Sequence, residues 1–321
     1  MNQISIIIPT FNSEDTIRAC LETIHKLSLD YKIECEIIIV DAGSKDETNK
    51  IAKEIANKII VSTGISRGKA RNIGANNAKN EVLVFLDSDC VITENWMKYV
   101  NKIQNISKSV VISGPVILSD VNTIMAEIIR DLLSDPFLTL DSSTFSIRTE
   151  DHEMTDAPAS NLMVSREFFE EINGFPDLNF NEDTVFSKKV RDFGGKIFYI
   201  RQFEVIHKRH FDSVEHFARY FFHYGRSYAN ILRTQPKFIR RYAIVAFSLS
   251  FLLFGSLLSI LINRILINYL FSIAVISFMI ILIYSFIKYK KLRAIFIPIF
   301  FIILVLSYVS GFYYGFIKKI D

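Results

Sequence analysis

Short continuous runs of apolar residues alternate with helically spaced apolar residues along the first part of the chain. Residues 4–9 form a β-branched run that ends at a proline, and apolar positions between 17 and 27 recur every three or four residues. This pair predicts a buried strand followed by an amphipathic helix. The runs 36–40, 58–61 and 82–86 repeat the strand pattern. Strands that alternate with helices predict an α/β domain whose mostly parallel sheet carries helices on both faces.

The segment after the second predicted strand has the sequence pattern of a helix N-terminus. Ser44 is followed three residues later by Glu47, as in a capping box, and Ile51, Ala52 and Ile55 then lie at helical spacing. The sequence therefore predicts a helix that begins at this box.

Beyond the fourth predicted strand the pattern is less regular. The expected elements are a helix over 124–133, a mobile loop over 141–156, a strand over 161–164 and helices from Arg166 and Glu182. A pair of glycines closes the last of these helices.

Three long apolar stretches dominate the last part of the chain. They cover residues 242–262, 265–287 and 294–317, and short polar links separate them. Each reaches the roughly 20 residues that a helix needs to cross the hydrocarbon core of a membrane. Three such helices in a soluble protein would have no polar face, so we expect three transmembrane helices over 242–317. The α/β domain then covers residues 1–235.

Basic residues predict which side of the membrane each flank occupies. Arg233, Lys237 and residues 240–241 precede the first predicted span, and four basic residues lie within 288–293. Because cytoplasmic flanks collect lysine and arginine, we expect a multi-pass protein of the cell membrane with a cytoplasmic α/β domain. Residues 318–319, both lysines, would then face outward, which opposes this assignment. The N-terminus has no basic region ahead of an apolar run, so no signal peptide is expected.

The net charge and the cysteines of the chain bear on its binding partners and its cellular environment. The formal net charge is +3, and much of the positive charge lies beside the apolar stretches, which suits anionic membrane lipids rather than nucleic acid. The three cysteines have no CxxC or Cys/His spacing, so reduced cytosolic thiols are expected. Residues 213–235 are rich in aromatic and basic side chains, which predicts a helix that lies at the membrane interface or packs against the sheet.

Two carboxylates follow the fourth predicted strand. Asp87 and Asp89 are one residue apart at the strand end, where both can face the crevice that α/β sheets offer to ligands. Hard divalent cations such as Mg²⁺ or Mn²⁺ prefer such oxygen ligands. An aspartate after a strand can also simply cap the next turn.

Four polar clusters lie at predicted strand ends or helix starts. They are residues 9–14, residues 41–44, residues 70–72 with 85–89, and residues 181–183. Their order and spacing resemble family 2 glycosyltransferases of the GT-A fold over roughly the first 230 residues. The position of this domain ahead of membrane helices is similar to the succinoglycan glucosyltransferase branch of that family.

The resemblance implies a site for a nucleotide-sugar donor, with UDP-sugars favoured, and for Mg²⁺ or Mn²⁺. The implied donor-binding residues are Pro9, Thr10, Asn12, Glu14, Asp41, Arg71, Asp87 and Ser88. Asp87 and Asp89 are the implied metal ligands, and His207 is a further candidate that could instead be an ordinary hydrogen-bonded histidine. Structural roles stay open for Glu14, at a helix N-terminus, and for Arg71, in a salt bridge.

The resemblance also implies that Asp183 is the general base of an inverting transfer. The acceptor hydroxyl must lose its proton while it attacks the anomeric carbon, and a nearby carboxylate can take that proton. Glu182 and Arg226 are candidates for contact with the acceptor or the diphosphate. Acidic residues at a helix N-terminus also stabilise the helix without catalysis, and that alternative stays open.

The expected activity is transfer of a sugar to a membrane acceptor in glycan or polysaccharide biosynthesis. A polyprenyl-linked acceptor is expected because a soluble acceptor would not need three membrane spans. The alternative is a catalytically silent membrane scaffold or sugar-binding subunit of a glycan assembly complex. Residues 64–74 lack the GxGxxG fingerprint of nicotinamide-dependent oxidoreductases. The segment with Arg219 and Arg226 departs from the glutamine-arginine-tryptophan motif of processive synthases.

Overall fold

The protein divides into two compact units that do not follow the chain in a simple order. The structure, a computed structural model, describes residues 3–103, 108–119, 123–135, 137–139, 145, 147–208, 211, 213–234 and 264–318. The first unit comprises Met1–Ser119 and Leu140–Arg209, and the second comprises Asp120–Thr139 and His210–Asp321. The predicted domain boundary at 235 stays a prediction.

The first unit alternates strands with helices over its described residues. Its strands are β1 (Gln3–Thr10), β2 (Glu34–Asp41), β3 (Lys58–Val61), β4 (Val82–Leu86), β5 (Cys90–Ile92), β6 (Val110–Ser113), β7 (Val116–Leu118), β8 (His152–Met154), β9 (Asn161–Ser165), β10 (Lys196–Tyr199) and β11 (Val205–His207). Its helices are α1 (Glu14–Tyr31), α2 (Thr48–Ala52), α3 (Arg67–Asn76), α4 (Glu94–Lys102), α6 (Arg166–Glu171) and α7 (Glu182–Asp192).

The main sheet is mixed rather than mostly parallel. Over the described residues its strand order is β3-β2-β1-β4-β9-β6-β10-β8. The strands β3, β2, β1 and β4 are parallel, whereas β9 lies antiparallel between β4 and β6, and β8 is antiparallel to β10. A small second sheet has the order β5-β11-β7. Hydrophobic runs identify buried strands but not their neighbours, which is why the antiparallel insertion of β9 differs from the prediction.

Alternating side chains of the central strands build one core on each face of the main sheet. In β1, Ile6 and Ile8 join the core that also contains Trp96 of α4, whereas Ile7 joins the core that contains Phe169 of α6. This alternation follows from the two-residue period of a strand. The predicted arrangement of helices on both faces of the sheet is confirmed.

The predicted capping box does not begin a helix. Helix α2 begins at Thr48, and its N-cap residue Glu47 makes no side-chain cap hydrogen bond. The Ser44 hydroxyl donates to the carboxylate of Asp41 instead. A charged acceptor makes a stronger hydrogen bond than a neutral one, so Ser44 serves the strand end and the box prediction is wrong.

Part of the predicted loop 141–156 is a strand. Residues 152–154 form β8, which pairs antiparallel with β10 and gives the backbone groups on that edge their partners. Residues 141–144 and 146 lie outside the described residues.

The second unit is helical over its described residues. Its elements are α5 (Ile124–Leu133), α8 (Val214–Thr234), α9 (Arg264–Tyr289), a 3₁₀ turn (Leu292–Phe296) and α10 (Ile297–Ile317). Among the described residues two segments have the length and composition of membrane spans, Ser272–Tyr289 and Leu292–Ile317. They fall in the second and third predicted stretches. The first predicted stretch, 242–262, lies outside the described residues.

Helices α8 and α10 pack with their backbones in contact. A Cβ on Gly311 would lie 1.9 Å from the carbonyl oxygen of Phe222, and one on Gly225 would lie 2.0 Å from that of Tyr308. Gly311 and Gly315 make a GxxxG pair in an apolar helix, a pattern that lets membrane helices approach closely. Glycine is therefore required at this crossing.

The second unit also contains a buried aspartate that accepts several hydrogen bonds. The side chain of Asp135 is 0% exposed, and its carboxylate accepts hydrogen bonds from Lys288 Nζ at 2.8 Å and from the hydroxyl of Tyr289 at 2.9 Å. Beside it, the Arg293 guanidinium donates to Asp131 at 3.0 Å. These contacts join the segment around α5 to the end of α9 and the 3₁₀ turn.

Candidate active site

The carboxyl ends of β1 and β2 meet in register, with Thr10 opposite Asp41. Asp41 is fully buried, and its carboxylate accepts hydrogen bonds from Thr10 Oγ1 at 3.1 Å, the backbone N–H of Gly43 at 3.1 Å, that of Ser44 at 2.9 Å and Asn49 Nδ2 at 2.9 Å. Burial opposes ionisation, but the hydrogen bonds from Ser44 and Asn49 outweigh it and lower the pKa of Asp41. The carboxylate therefore organises the loop after β2, and its predicted contact with a base stays a prediction.

The loops after β1 and β2 hold each other through the predicted residues Asn12 and Glu14. The backbone N–H of Asn12 donates to Ser44 Oγ at 2.8 Å, and that of Lys45 donates to Asn12 Oδ1 at 3.0 Å. Asn12 has a φ of 49°, a left-handed conformation that asparagine tolerates better than most residues. The backbone N–H of Glu47 donates to Glu14 Oε2 at 2.9 Å. Both residues remain exposed at the edge of the sheet where a ligand can reach them.

Ser88 and Pro9 lie at the same edge. The Ser88 hydroxyl donates to Ser13 Oγ at 2.9 Å, which joins the loop after β4 to the loop after β1. Pro9 is half-buried next to the last residue of β1. The three parallel strands β2, β1 and β4 thus bring all the predicted strand-end residues to one side of the sheet.

Arg71 connects two of the predicted clusters. Its side chain is 1% exposed, Nη2 donates to Asp87 Oδ1 at 2.6 Å, and Nη1 donates to Glu182 Oε1 at 2.7 Å. Helix α3 can place the guanidinium here because it lies almost on β1: a Cβ on Gly74 would lie 2.3 Å from Cγ2 of Ile7. The salt bridge that the sequence left open is present, but it is buried, and it joins the cluster after β4 to the start of α7.

Asp183 lies beside this salt bridge at the first turn of α7. Its side chain is half-buried, and its Oδ1 accepts the backbone N–H of Thr184 at 2.7 Å. Burial and the neighbouring charge of Glu182 raise the pKa of Asp183 to about 7, while Arg71 acts in the opposite direction. A carboxylate with this pKa can take up a proton near neutral pH, as a general base must.

Asp89, Cys90 and His207 form a separate group of three metal-ligand types. Strand β5 pairs antiparallel with β11, which places His207 directly opposite Cys90. His207 Nε2 lies 3.4 Å from Asp89 Oδ1, and one ligand atom of each of the three residues lies within 4.8 Å of the others. Asp87 is not part of this group, since its carboxylate pairs with Arg71.

The carboxylate, imidazole and thiol donors of this group fit a divalent cation. A carboxylate oxygen and an imidazole nitrogen 3.4 Å apart can both reach one ion, and the nitrogen suits Mn²⁺ better than Mg²⁺. Sequence reasoning found Asp89 and His207 but missed Cys90. Its position directly after the second aspartate was the available signal, and only the β5–β11 pairing reveals that it faces His207.

Arg226 is the one predicted site residue that belongs to the second unit. It lies on α8, with its guanidinium carbon 5.3 Å from the centre of the Tyr314 ring. Its predicted contact with acceptor or diphosphate stays a prediction.

The fold has a solved neighbour. A mannosyltransferase from Pyrobaculum calidifontis, solved in complex with GDP-Man and Mn²⁺, superposes with a TM-score of 0.62 and 11% sequence identity, over 94% of this chain and 86% of that one. At this identity the likeness concerns the fold, which is the α/β GT-A-like fold that the sequence predicts, with a mixed sheet.

Two glycosyltransferases are similar to this chain in sequence. The O-antigen chain rhamnosyltransferase RfbN of Salmonella typhimurium is 25% identical over 231 residues, 68% of this chain and 70% of that protein. The glycosyltransferase AglE of Haloferax volcanii is 32% identical over 101 residues, which are 30% of this chain and 33% of that protein. The matched part thus spans one third of the length of AglE.

A family model also matches the chain. It matches residues 5–173, more than half of the chain, and its description is glycosyl transferase family 2. The match contains the strand ends of β1, β2 and β4 and the buried Arg71, whereas Asp183 and His207 lie beyond its end. With the strand-end residues inside the match and a GT-A-like fold around them, the chain belongs to glycosyl transferase family 2.

Proposed function

We propose that the protein is an inverting glycosyltransferase that transfers a sugar from a nucleotide-sugar donor to a polyprenyl-linked acceptor at the membrane. The observation that carries the proposal is the buried Arg71, whose guanidinium holds Asp87 and Glu182 within hydrogen-bonding distance. It joins the residues proposed for the donor to those proposed for the acceptor in one site. A scaffold protein would not need a half-buried Asp183 whose pKa is raised to about 7 at this place.

The donor lies, in this proposal, along the carboxyl ends of β1, β2 and β4. The residues that line its site are Pro9, Thr10, Asn12, Glu14, Asp41, Arg71, Asp87 and Ser88. The position of these residues supports this role, because ligands of open α/β sheets bind beyond the carboxyl ends of the strands. A UDP-sugar is the favoured donor.

Asp89 and His207 would hold Mg²⁺ or Mn²⁺, and the donor set favours Mn²⁺. When bound, the ion neutralises negative charge on the diphosphate of the donor. The buried Arg71 fixes Asp87 in one position, so the turn that carries Asp89 is anchored from within the protein.

Asp183 accepts the proton of the attacking hydroxyl. Burial and Glu182 hold its pKa near neutral, which makes the carboxylate a stronger base than an exposed aspartate while it stays ionised at slightly alkaline pH. Attack from the side opposite the leaving nucleotide inverts the anomeric configuration. Glu182 serves this step indirectly, because its carboxylate pairs with Arg71.

The second unit, in this proposal, anchors the enzyme in the cell membrane as a multi-pass protein with the first unit on the cytoplasmic side. Along α9, large apolar side chains are exposed; they include Tyr269, Ile273, Ile276, Ile280, Ile283 and Ile287. Such a surface is stable in contact with lipid and unfavourable in water. A polyprenyl-linked acceptor would then reach the site from the same membrane.

The test is nucleotide release by the full chain reconstituted in lipid, with a panel of nucleotide sugars, Mn²⁺ or Mg²⁺, and polyprenyl-linked acceptors. We expect metal-dependent turnover with one donor, and a loss of at least about a hundredfold in Asp183→Asn, the order expected for removal of a general base. Asp192→Asn is the matched control, because Asp192 is a mostly exposed aspartate at the other end of α7 that pairs with Lys188.

The outcomes separate the parts of the proposal. Turnover by the full chain on water-soluble acceptors as fast as on polyprenyl-linked ones would contradict a membrane-bound acceptor. Equal turnover in Asp183→Asn and Asp192→Asn would remove Asp183 from the mechanism. Absence of binding by any nucleotide sugar would leave the scaffold alternative.

A further inference from the structure

Cys90 stands out because it adds a soft ligand to the group proposed to hold a hard cation. Its sulfur, an oxygen of Asp89 and a nitrogen of His207 all lie within 4.8 Å of one another. Cys90 is fully buried and is not part of a disulfide. Nothing in the proposed transfer uses this thiol.

Two features of the backbone bring the three side chains together. Residues directly opposite each other in an antiparallel pair carry their side chains on the same face, and His207 is opposite Cys90. Asp89 precedes Cys90 in a turn that the backbone N–H of Cys90 closes on the carbonyl of Asp87 at 3.0 Å. Neighbouring residues within a strand would face opposite ways, so the turn is what allows Asp89 to join the group.

Hydrogen bonding between the two strands continues beyond the group of Asp89, Cys90 and His207. The backbone N–H of Lys208 donates to the carbonyl of Asp89 at 2.6 Å. The Phe145 ring lies edge-on to the imidazole of His207, with centres 6.1 Å apart. Both the backbone of Asp89 and the ring of His207 are therefore held in place before any ion binds.

We propose that Cys90 is a third metal ligand and that the site prefers a thiophilic divalent cation such as Zn²⁺ or Co²⁺ over Mg²⁺. One thiolate, one imidazole and one carboxylate with an open fourth position are a ligand set that suits zinc, whereas Mg²⁺ takes oxygen ligands. Upon ligation the S–H bond breaks, the sulfur bonds to the ion and the proton passes to solvent. This inference rests on the proposed function for the Asp89 and His207 pair and adds the sulfur.

A consequence for the enzyme is that Zn²⁺ competes with the ion that supports turnover. The affinity of nitrogen and sulfur sites rises from Mn²⁺ to Zn²⁺, so a trace of zinc would occupy the site in the presence of excess manganese. Replacement of Cys90 by an oxygen or carbon side chain should shift the preference back towards Mn²⁺.

The experiment uses Co²⁺ as a spectroscopic probe on the full-length, metal-free protein in detergent. We expect a sulfur-to-cobalt charge-transfer band in the near ultraviolet for the wild type, and no such band for Cys90→Ser or Cys90→Ala. Cys20→Ser and Cys35→Ser are matched controls that keep the band, since neither thiol belongs to the group of three. Two variants at position 90 guard against a folding defect, which circular dichroism would detect.

A competition titration with a chromophoric chelator gives the second readout. The Zn²⁺ affinity should fall by at least about tenfold in Cys90→Ala, whereas the Mg²⁺ affinity should stay the same. Cobalt d–d bands without a charge-transfer band in the wild type, or an unchanged Zn²⁺ affinity in Cys90→Ala, would overturn the role of Cys90 and leave the Asp89 and His207 pair intact. Failure of every divalent cation to bind would instead remove the metal site of the proposed function, and the inference with it.

Discussion

Each unit contains a buried ion whose partners include residues from distant parts of the chain. In the first unit the ion is the cation Arg71, between the carboxylates of Asp87 and Glu182. In the second unit it is the anion Asp135, which receives hydrogen bonds from the ammonium of Lys288 and the hydroxyl of Tyr289. The first group has more carboxylates than cations, whereas the second pairs one anion with one cation and neutral donors.

In the proposed function, this difference in charge balance distinguishes an active site from a contact that joins helices. An excess of buried negative charge lowers the stability of the fold, and Asp183 adds to that excess when it is ionised. A proton taken up by Asp183 neutralises part of this charge, and in the proposed transfer the acceptor hydroxyl supplies that proton. The pair of Asp135 and Lys288 has balanced charges and does not require such neutralisation.

The largest effect is expected from Arg71→Met. The substitution leaves the buried carboxylate of Glu182 and the part-buried one of Asp87 without their cation, so the free energy of unfolding of the first unit should fall by about 3–5 kcal/mol. Trp96 is the only tryptophan of the chain and is fully buried in the first unit, so its fluorescence during urea unfolding reports on that unit. Lys69→Met, an exposed position on the same helix, should leave the midpoint unchanged. Equal midpoints in the two variants would contradict a stabilising role for Arg71.

A smaller effect is expected from Asp135→Asn in the second unit. The amide keeps an acceptor but loses the charge, and Lys288 is 38% exposed, so water compensates part of the loss and the cost should be about 1–3 kcal/mol. Amide hydrogen exchange over residues 124–133 in detergent should become faster. Glu215→Gln, at an exposed glutamate of α8, is the control. Unchanged exchange would show that the Asp135 contacts do not hold α5.

Gly311→Ala should separate α8 from α10. The added methyl would lie 1.9 Å from the carbonyl oxygen of Phe222, and forcing an extra carbon into packed structure costs about 1–3 kcal/mol. The melting temperature in detergent, followed by circular dichroism, should fall. Ser310→Ala changes the neighbouring, exposed residue of the same helix and should not lower it. Equal melting of the two variants would place the tight crossing in doubt.

The smallest change is a displaced pH profile. Because the pKa of Asp183 is raised to about 7, the carboxyl is protonated below that pH and cannot act as a base, so kcat/KM should rise as pH increases through about 7. The charge of Glu182 contributes to the raised pKa, so Glu182→Gln should move this rise to lower pH. If kcat/KM rises at the same pH in the wild type and in Glu182→Gln, then Glu182 does not act on Asp183 through its charge.

The sequence predicted the first unit better than the second. Apolar runs with period-specific spacing identified β1, β2, β3, β4 and β9, and the polar clusters that follow β1, β2 and β4 reach one side of the sheet. The pairing of β5 with β11 was not predictable, because two three-residue strands more than a hundred positions apart leave no periodic signal. Cys90 could therefore not be assigned to the metal-ligand group from the sequence.

The sequence did not predict that residues 120–139 belong to the second unit, for a different reason. Residues 124–133 were predicted as a helix, and they form one, but their membership of the apolar C-terminal part depends on Asp131 and Asp135. A single aspartate whose lysine comes 153 residues later has no recognisable motif. Hydrophobic patterning finds helices that cross a membrane far more readily than it finds what binds to their ends.

The placement of residues 120–139 within the second unit has a consequence for synthesis. The chain of the first unit is complete once Arg209 has been added, but α5 must wait for Lys288, the 3₁₀ turn and α10. At usual rates of translation, the 153 residues between Asp135 and Lys288 take roughly 8–30 s. During that interval the amphipathic helix α5 lacks the surface that it finally covers, so a ribosome that stalls before α10 leaves behind a chain prone to capture by chaperones.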